Sequence, residues 1–338
     1  MSTVIVVGGG CNRLDVDAIT GGAGAAGSAA NTSVAGATSA GGSAAAGGDV
    51  AGAGSGSDSG AMGGSAGEQS GPTGTCPPGG LVPGDTSRTV RVGATTRSYV
   101  LHVPEANDPT RPTPLIVDFH GIGSTGLDQL TSSPYPPITD PDGVIMAFPD
   151  GMSGPLGSAW NMGPCCVAGV DDVAFARALV ADVQSIACID PRRVYAVGVL
   201  TGGGMVYHLA CEAAEVFAAV APAAFDLIEE TVDDCRPSRP ITVISFRGTA
   251  DTRVPYEGGA SSLVPGMPIT FLGAEASLQR WAAIDGCMGP ESEDDENGCT
   301  SYSGCSAGVE VVLCTKDGGR EDPGDPTIAW PALKRHSL

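Results

Sequence analysis

The stretch Arg193-Val-Tyr-Ala-Val-Gly198-Val-Leu-Thr-Gly202-Gly-Gly-Met205 decides the fold. Its first half is a short apolar run rich in β-branched residues, too brief for a helix, and reads as a buried strand. Three consecutive glycines follow, and then Met205, Leu209 and Ala213 recur at helical spacing. A buried strand running through a glycine turn into a helix is half of a βαβ crossover. Two other segments share the design. Leu115-Ile-Val-Asp-Phe-His-Gly121-Ile-Gly-Ser-Thr125 is an apolar strand ending in His-Gly, and Ile241-Thr-Val-Ile-Ser-Phe-Arg-Gly248-Thr-Ala-Asp251 is one ending in an acid.

Further extended segments fall at 89–92, 97–103, 144–148, 217–221 and 309–313. Asp171-Asp172 stands where a cap belongs, ahead of Val173, Ala176, Leu179, Val180, Val183 and Ile186, the stripe of an amphipathic helix. Another helix covers 274–283, with Leu278, Trp281 and Ala282 on one face. Closely spaced early strands suggest a hairpin, and later ones alternate with helices. The fold class is therefore α/β, a mostly parallel sheet with antiparallel strands at its beginning.

Composition divides the chain. Residues 1–75 hold 21 of the 51 glycines, mixed with Ala and Ser, and cannot bury enough apolar surface to offset their ordering entropy. We read 12–75 as a disordered linker and 76–338 as one domain. Residues 1–11, MSTVIVVGGGC, resemble a lipoprotein-type start ending at Cys11, without a basic region and with a short apolar core. The start is either truncated or not a signal. Gly22 to Gly27 spells GxGxxG but lacks the strand-to-helix context of a dinucleotide site.

The domain carries 33 acids against 16 bases, which argues against nucleic acids and anionic membrane surfaces as partners. No segment reaches the ~18–20 apolar residues of a membrane span. Ten of the eleven cysteines lie after residue 75, without paired CxxC spacing, so disulfides in an oxidising compartment are expected and a zinc site is not. The acidic loop 291–298 places Gly304 where a calcium loop needs its final Glu, and reads as solvated.

The order strand/His-Gly, strand/glycine elbow, strand/Asp is that of the α/β-hydrolase fold. From Cys76 to Trp330 the chain resembles the secreted esterase family that includes feruloyl esterases and polyhydroxybutyrate depolymerases. Phe119-His-Gly121, Ala147-Phe-Pro-Asp-Gly151, Trp160-Asn161, Asp190-Pro-Arg-Arg-Val-Tyr195, Gly248-Thr-Ala-Asp251 and Asp317-Gly-Gly319 carry the resemblance. It implies a carboxylic-ester hydrolase needing no cofactor or metal, acting on a small or polymeric ester, secreted, monomeric, and envelope-tethered if Cys11 is lipidated.

The residues at the implied triad depart from the family. Its G-x-S-x-G elbow reads Gly198-Val199-Leu200-Thr201-Gly202, with Leu200 at the nucleophile position. The acid is Asp251. The histidine position falls on Arg320, or on Glu321 if one residue is gapped. Leucine cannot attack a carbonyl and arginine cannot accept a proton. The resemblance places the oxyanion region at His120, Gly121, Ile122 and Thr201, with backbone N–H donors near Ile122 and at Thr201. Trp160 either stacks on a ligand ring in the cleft or anchors its loop. Two readings follow: a catalytically impaired esterase homologue that retains its cleft, or an active hydrolase using Thr201 and an unrecognised base.

Overall fold

The computed structural model describes residues 76–338 apart from 265, 290, 291, 293–296 and 321. The start at 1–11, the linker 12–75, the Gly22–Gly27 pattern, Glu321 and most of the acidic loop lie outside the described residues.

Nine strands form one sheet. In spatial order they are Gly84–Val92, Thr95–Val103, Ile145–Pro149, Thr113–Phe119, Ile189–Val199, Ala219–Ala223, Thr242–Gly248, Val311–Lys316 and Cys299–Tyr302. The run from Ile145–Pro149 to Val311–Lys316 is parallel throughout; the first two strands and the last pair antiparallel. All eight segments expected to be extended are strands of this sheet.

Successive strand residues point to opposite faces, and both faces are covered. Leu115, Val117, Phe119 and Ala196 join the core on one side, while Ile116, Tyr195 and Val197 join that on the other. This explains the unbroken apolar runs of the central strands. The first face is closed by helices Asp172–Ile186, Thr201–Glu212 and Ala274–Ile284. Asp171 caps the first of these by accepting from Ala174 N–H at 2.7 Å, and Val173, Ala176, Leu179, Val180 and Val183 are buried along it.

The short C-terminal helix Pro326–Leu333, absent from the sequence reading, covers the other face with Ala329, Trp330 and Leu333. Its eight residues present too few turns for a periodic signal. Five disulfides use all ten cysteines of the domain: Cys76–Cys188, Cys165–Cys166, Cys211–Cys235, Cys287–Cys305 and Cys299–Cys314. No helix among the described residues is long and apolar enough to cross a membrane.

Candidate active site

The parallel strands all end at one edge of the sheet, and three of those ends carry the chemistry. Ile189–Val199 delivers the elbow. Leu200 sits at φ 54°, ψ −125°, a conformation that costs a non-glycine residue ~1–3 kcal/mol. Surrounding bonds hold it there: Leu200 N–H donates to Ala223 O (3.0 Å), and its carbonyl accepts from Gly204 N–H (3.1 Å).

The elbow glycines are steric requirements. A Cβ on Gly202 would lie 1.9 Å from Phe119 O, and one on Gly198 would lie 2.7 Å from Gly202 O. Leu200, half-buried, lays its side chain against Gly121, where an added Cβ would meet Leu200 Cδ1 at 3.3 Å. The backbone of a nucleophile elbow is complete, and its apex carries a hydrocarbon.

Strand Thr113–Phe119 delivers the loop facing the elbow. His120 is wholly buried. Its Nε2 accepts from Gly151 N–H (3.0 Å), so Nδ1 carries the proton and donates to Gly121 O (2.7 Å). Burial lowers its pKa, which keeps the ring neutral. Trp160 Nε1–H donates to His120 O at 2.8 Å.

Two successive carbonyls are thereby pulled toward the interior. A trans amide sets its N–H opposite its C=O, so the Ile122 N–H points away from the His120 ring. Among the described residues nothing accepts the Ile122 N–H, nor that of Thr201, the first residue of its helix, where no intrahelical acceptor exists. Thr201 directly follows the Leu200 apex, and Gly121, the residue before Ile122, lies against the Leu200 side chain.

Trp160 is 0% exposed, edge-on to Phe119 (centroids 5.2 Å apart) and tilted against His120 (4.7 Å). A ring so enclosed offers no face to a ligand; it serves as the anchor of the loop. Thr201 is also 0% exposed, and its hydroxyl meets no hydrogen-bond partner among the described residues. Among the described residues no side-chain base hydrogen-bonds to it.

Strand Thr242–Gly248 delivers Asp251. Its buried carboxylate accepts at Oδ1 from Arg253 N–H (2.8 Å) and Val254 N–H (3.0 Å), while Oδ2 has no hydrogen-bond partner among the described residues. The loop bearing Arg320 docks on the same corner: Ala250 N–H donates to Gly319 O (2.8 Å), and a Cβ on Gly248 would lie 2.2 Å from that oxygen.

No ion pair joins Arg320 to Asp251. Arg320 is exposed and makes no ion pair among the described residues. The cation facing Asp251 is Arg247, wholly buried on the same strand, with Nη2 4.0 Å from Asp251 Oδ2, Nη2–H donating to Val254 O (2.6 Å), and Nη1 against Asp226 Oδ2. Desolvation lifts the Asp226 pKa to about 6, the Arg247 charge opposing the rise. Asp226 was not singled out by sequence; it follows the Ala219–Ala223 strand with no periodic or motif signal.

None of the four histidines is placed as a base for Leu200 or Thr201. Both His120 nitrogens are engaged. His208 lies two turns along the helix, ~10–12 Å from the apex at 1.5 Å per residue. His102 is held between Asp85 (2.6 Å) and Asp140 (3.2 Å), and His336 lies beside Glu310. Among the described residues no cluster of His, Cys, Asp and Glu has metal-holding geometry.

The sheet order, the strained turn and the acid on the seventh strand of the spatial order define an α/β-hydrolase. No family model matches the chain. Feruloyl esterase B of Piromyces equi is 42% identical over 245 residues, 72% of this chain and 46% of that protein. The putative esterase NocK of Nocardia uniformis subsp. tsuyamanensis is 34% identical over 181 residues, 51% of this chain and 50% of that protein. Feruloyl esterase C of Emericella nidulans is 28% identical over 236 residues, 67% of this chain and 76% of that protein.

The chain thus spans about half the length of the first two of these curated relatives. Among solved structures, an acetyl xylan esterase from Aspergillus awamori matches with TM-score 0.54 at 14% identity, over 74% of this chain and 99% of that one, a likeness of fold. The chain belongs to the α/β-hydrolase esterase family.

Proposed function

We propose that this chain binds carboxylic esters through an esterase-type cleft and hydrolyses them at a residual rate at most. One observation carries the reading: Leu200, which can neither lose a proton nor attack, occupies the strained apex of the elbow. The unspent N–H groups of Ile122 and Thr201 support a retained oxyanion site, and the exposed Arg320 supports a missing base. The feruloyl esterase relatives support an aryl ester as ligand.

Five disulfides support secretion as a monomeric module comprising 76–338. The composition of 12–75 supports a spacer, with Cys11 as a candidate tether. The test pairs turnover with binding. Methyl ferulate and p-nitrophenyl acetate should be hydrolysed well below the ~1–10 s⁻¹ of ordinary enzymes, while methyl ferulate binds saturably. Turnover in that range would overturn the reading, and its loss in Thr201→Ala would establish Thr201 as the nucleophile. Absence of saturable binding would remove the ester-binding half.

A further inference from the structure

The residues around Asp226 form a second constellation that the ester reading does not use. Asp226 and Asp251 share one guanidinium, Arg247, and all three side chains are no more than 1% exposed. Two buried carboxylates against one buried cation leave one negative charge uncompensated, and an unpaired buried charge is costly. The group is also incompletely hydrogen-bonded: both Asp226 oxygens, Asp251 Oδ2 and Arg247 Nε and Nη1 have no hydrogen-bond partner among the described residues, and Asp226 Oδ1 is the carboxylate oxygen not set against the guanidinium.

Asp226 is part of the wall of a cavity of about 220 Å³. That cavity opens one helical turn past the elbow apex, at Gly204, and is lined by Met162, Tyr207, Phe225 and Leu227 with His208 nearby. Its volume falls below the ~300–1,000 Å³ of drug-sized pockets, and suits a single ring better than a polymer chain. The polar groups that reach it favour a cation. Exposed Glu212 and Asp234 stand at its edge, and burial lowers the pKa of His208, which keeps that ring neutral.

We propose that this cavity is a binding site for a small organic ammonium ion with an apolar, ring-sized body, its N–H donating to Asp226 Oδ1. The cation supplies the missing positive charge of the Asp226–Arg247–Asp251 group, and the body fills the space between Met162, Phe225 and Leu227. The site is independent of the ester reading, since Leu200, Ile122 and Thr201 are not on its wall.

Benzylammonium is the probe, titrated into the full chain by calorimetry and ligand-observed NMR, with benzyl alcohol as the neutral counterpart. Benzylammonium should bind with Kd of order ~1 mM or tighter, and ~10–100-fold tighter than benzyl alcohol, as a charge-assisted bond requires. Asp226→Asn, which keeps the shape and removes the charge, should erase that preference. Thr231→Trp, at a half-buried position on the wall away from the ion group, should block both compounds.

Equal affinity for the two compounds, no binding of benzylammonium by about 10 mM, or a preference that survives Asp226→Asn would each overturn the proposal. If Asp226→Asn does not fold, the benzyl alcohol comparison and Thr231→Trp decide it alone: undiminished binding to Thr231→Trp overturns it. Ester binding measured on the same samples separates failure here from failure of the ester reading.

Discussion

Building a Ser-His-Asp triad at the proposed positions is the sharpest test of the proposed site. The perturbation is Leu200→Ser combined with Arg320→His. Arg320 is exposed and unpaired among the described residues, so its replacement should cost no more than ~0.5 kcal/mol of stability. Leu200 is half-buried, and trimming it forfeits ~1 kcal/mol of apolar burial. The backbone strain at the apex is already present with leucine and changes little with serine. The double variant should therefore fold.

Each single change should do little, because serine without a base is a poor nucleophile and histidine without serine has nothing to deprotonate. Together, with Asp251 orienting the imidazole and the Ile122 and Thr201 N–H groups taking the oxyanion, hydrolysis should rise ~10²–10³-fold over either single, about 3–4 kcal/mol of barrier. The gain should stay short of the ~10⁶-fold worth of a whole evolved triad. Asp251 Oδ2 faces the Arg247 guanidinium at 4.0 Å, which weakens its hold on an imidazolium.

The assay is initial-rate hydrolysis of p-nitrophenyl acetate through the full mutant cycle. A parallel arm carries Glu321→His in place of Arg320→His. If every variant melts cooperatively and neither double variant exceeds its singles by ~10-fold, ~1.4 kcal/mol, the assignment of these positions to a triad is wrong.

Two further outcomes follow from the same geometry. Gly202→Ala should destabilise the fold by about 3 kcal/mol, because its Cβ would meet Phe119 O at 1.9 Å between two backbone segments. An unchanged urea midpoint would refute that close approach. Acidification from about pH 7 toward pH 4 should raise stability through Asp118 and Asp226, whose burial lifts their folded pKa values to about 7 and about 6, above the ordinary carboxyl range. In that window the native chain holds protons that the unfolded chain has released, so stability is lost as pH rises through it. Thermal melts at a series of pH values check this, and a slope that does not flatten in Asp118→Asn would exclude the Asp118 contribution.

The triad position shows how far sequence alone carries. Gly198 and Gly202 bracket Leu200 in the primary structure, and the elbow is legible there because it is a local object of five residues. The eight extended segments and the Asp171 cap were legible for the same reason: burial on both sheet faces and first-turn capping act over a few neighbours. Small elements at the periphery were not. The C-terminal helix is stabilised by Trp330 and Leu333 packing on a sheet contributed by residues distant along the chain, among them Tyr195, Ala219 and Phe246, and Trp330 Nε1–H donates to Asp142 at 2.7 Å.

By itself, the sequence determined the order of strands and helices, the even count of cysteines in the domain, and the placement of Leu200 between Gly198 and Gly202. Only the tertiary structure decided which cysteines pair. It also showed that Trp160 is buried and donates to the His120 carbonyl, and that the Thr201 hydroxyl is buried without a hydrogen-bond partner among the described residues. It alone showed that the cation at Asp251 is Arg247 and not Arg320. These are matters of burial and approach between segments distant along the chain. Chain order constrains them only through the closure of the sheet, which sets Asp226, Arg247 and Asp251 beside one another at the ends of neighbouring strands.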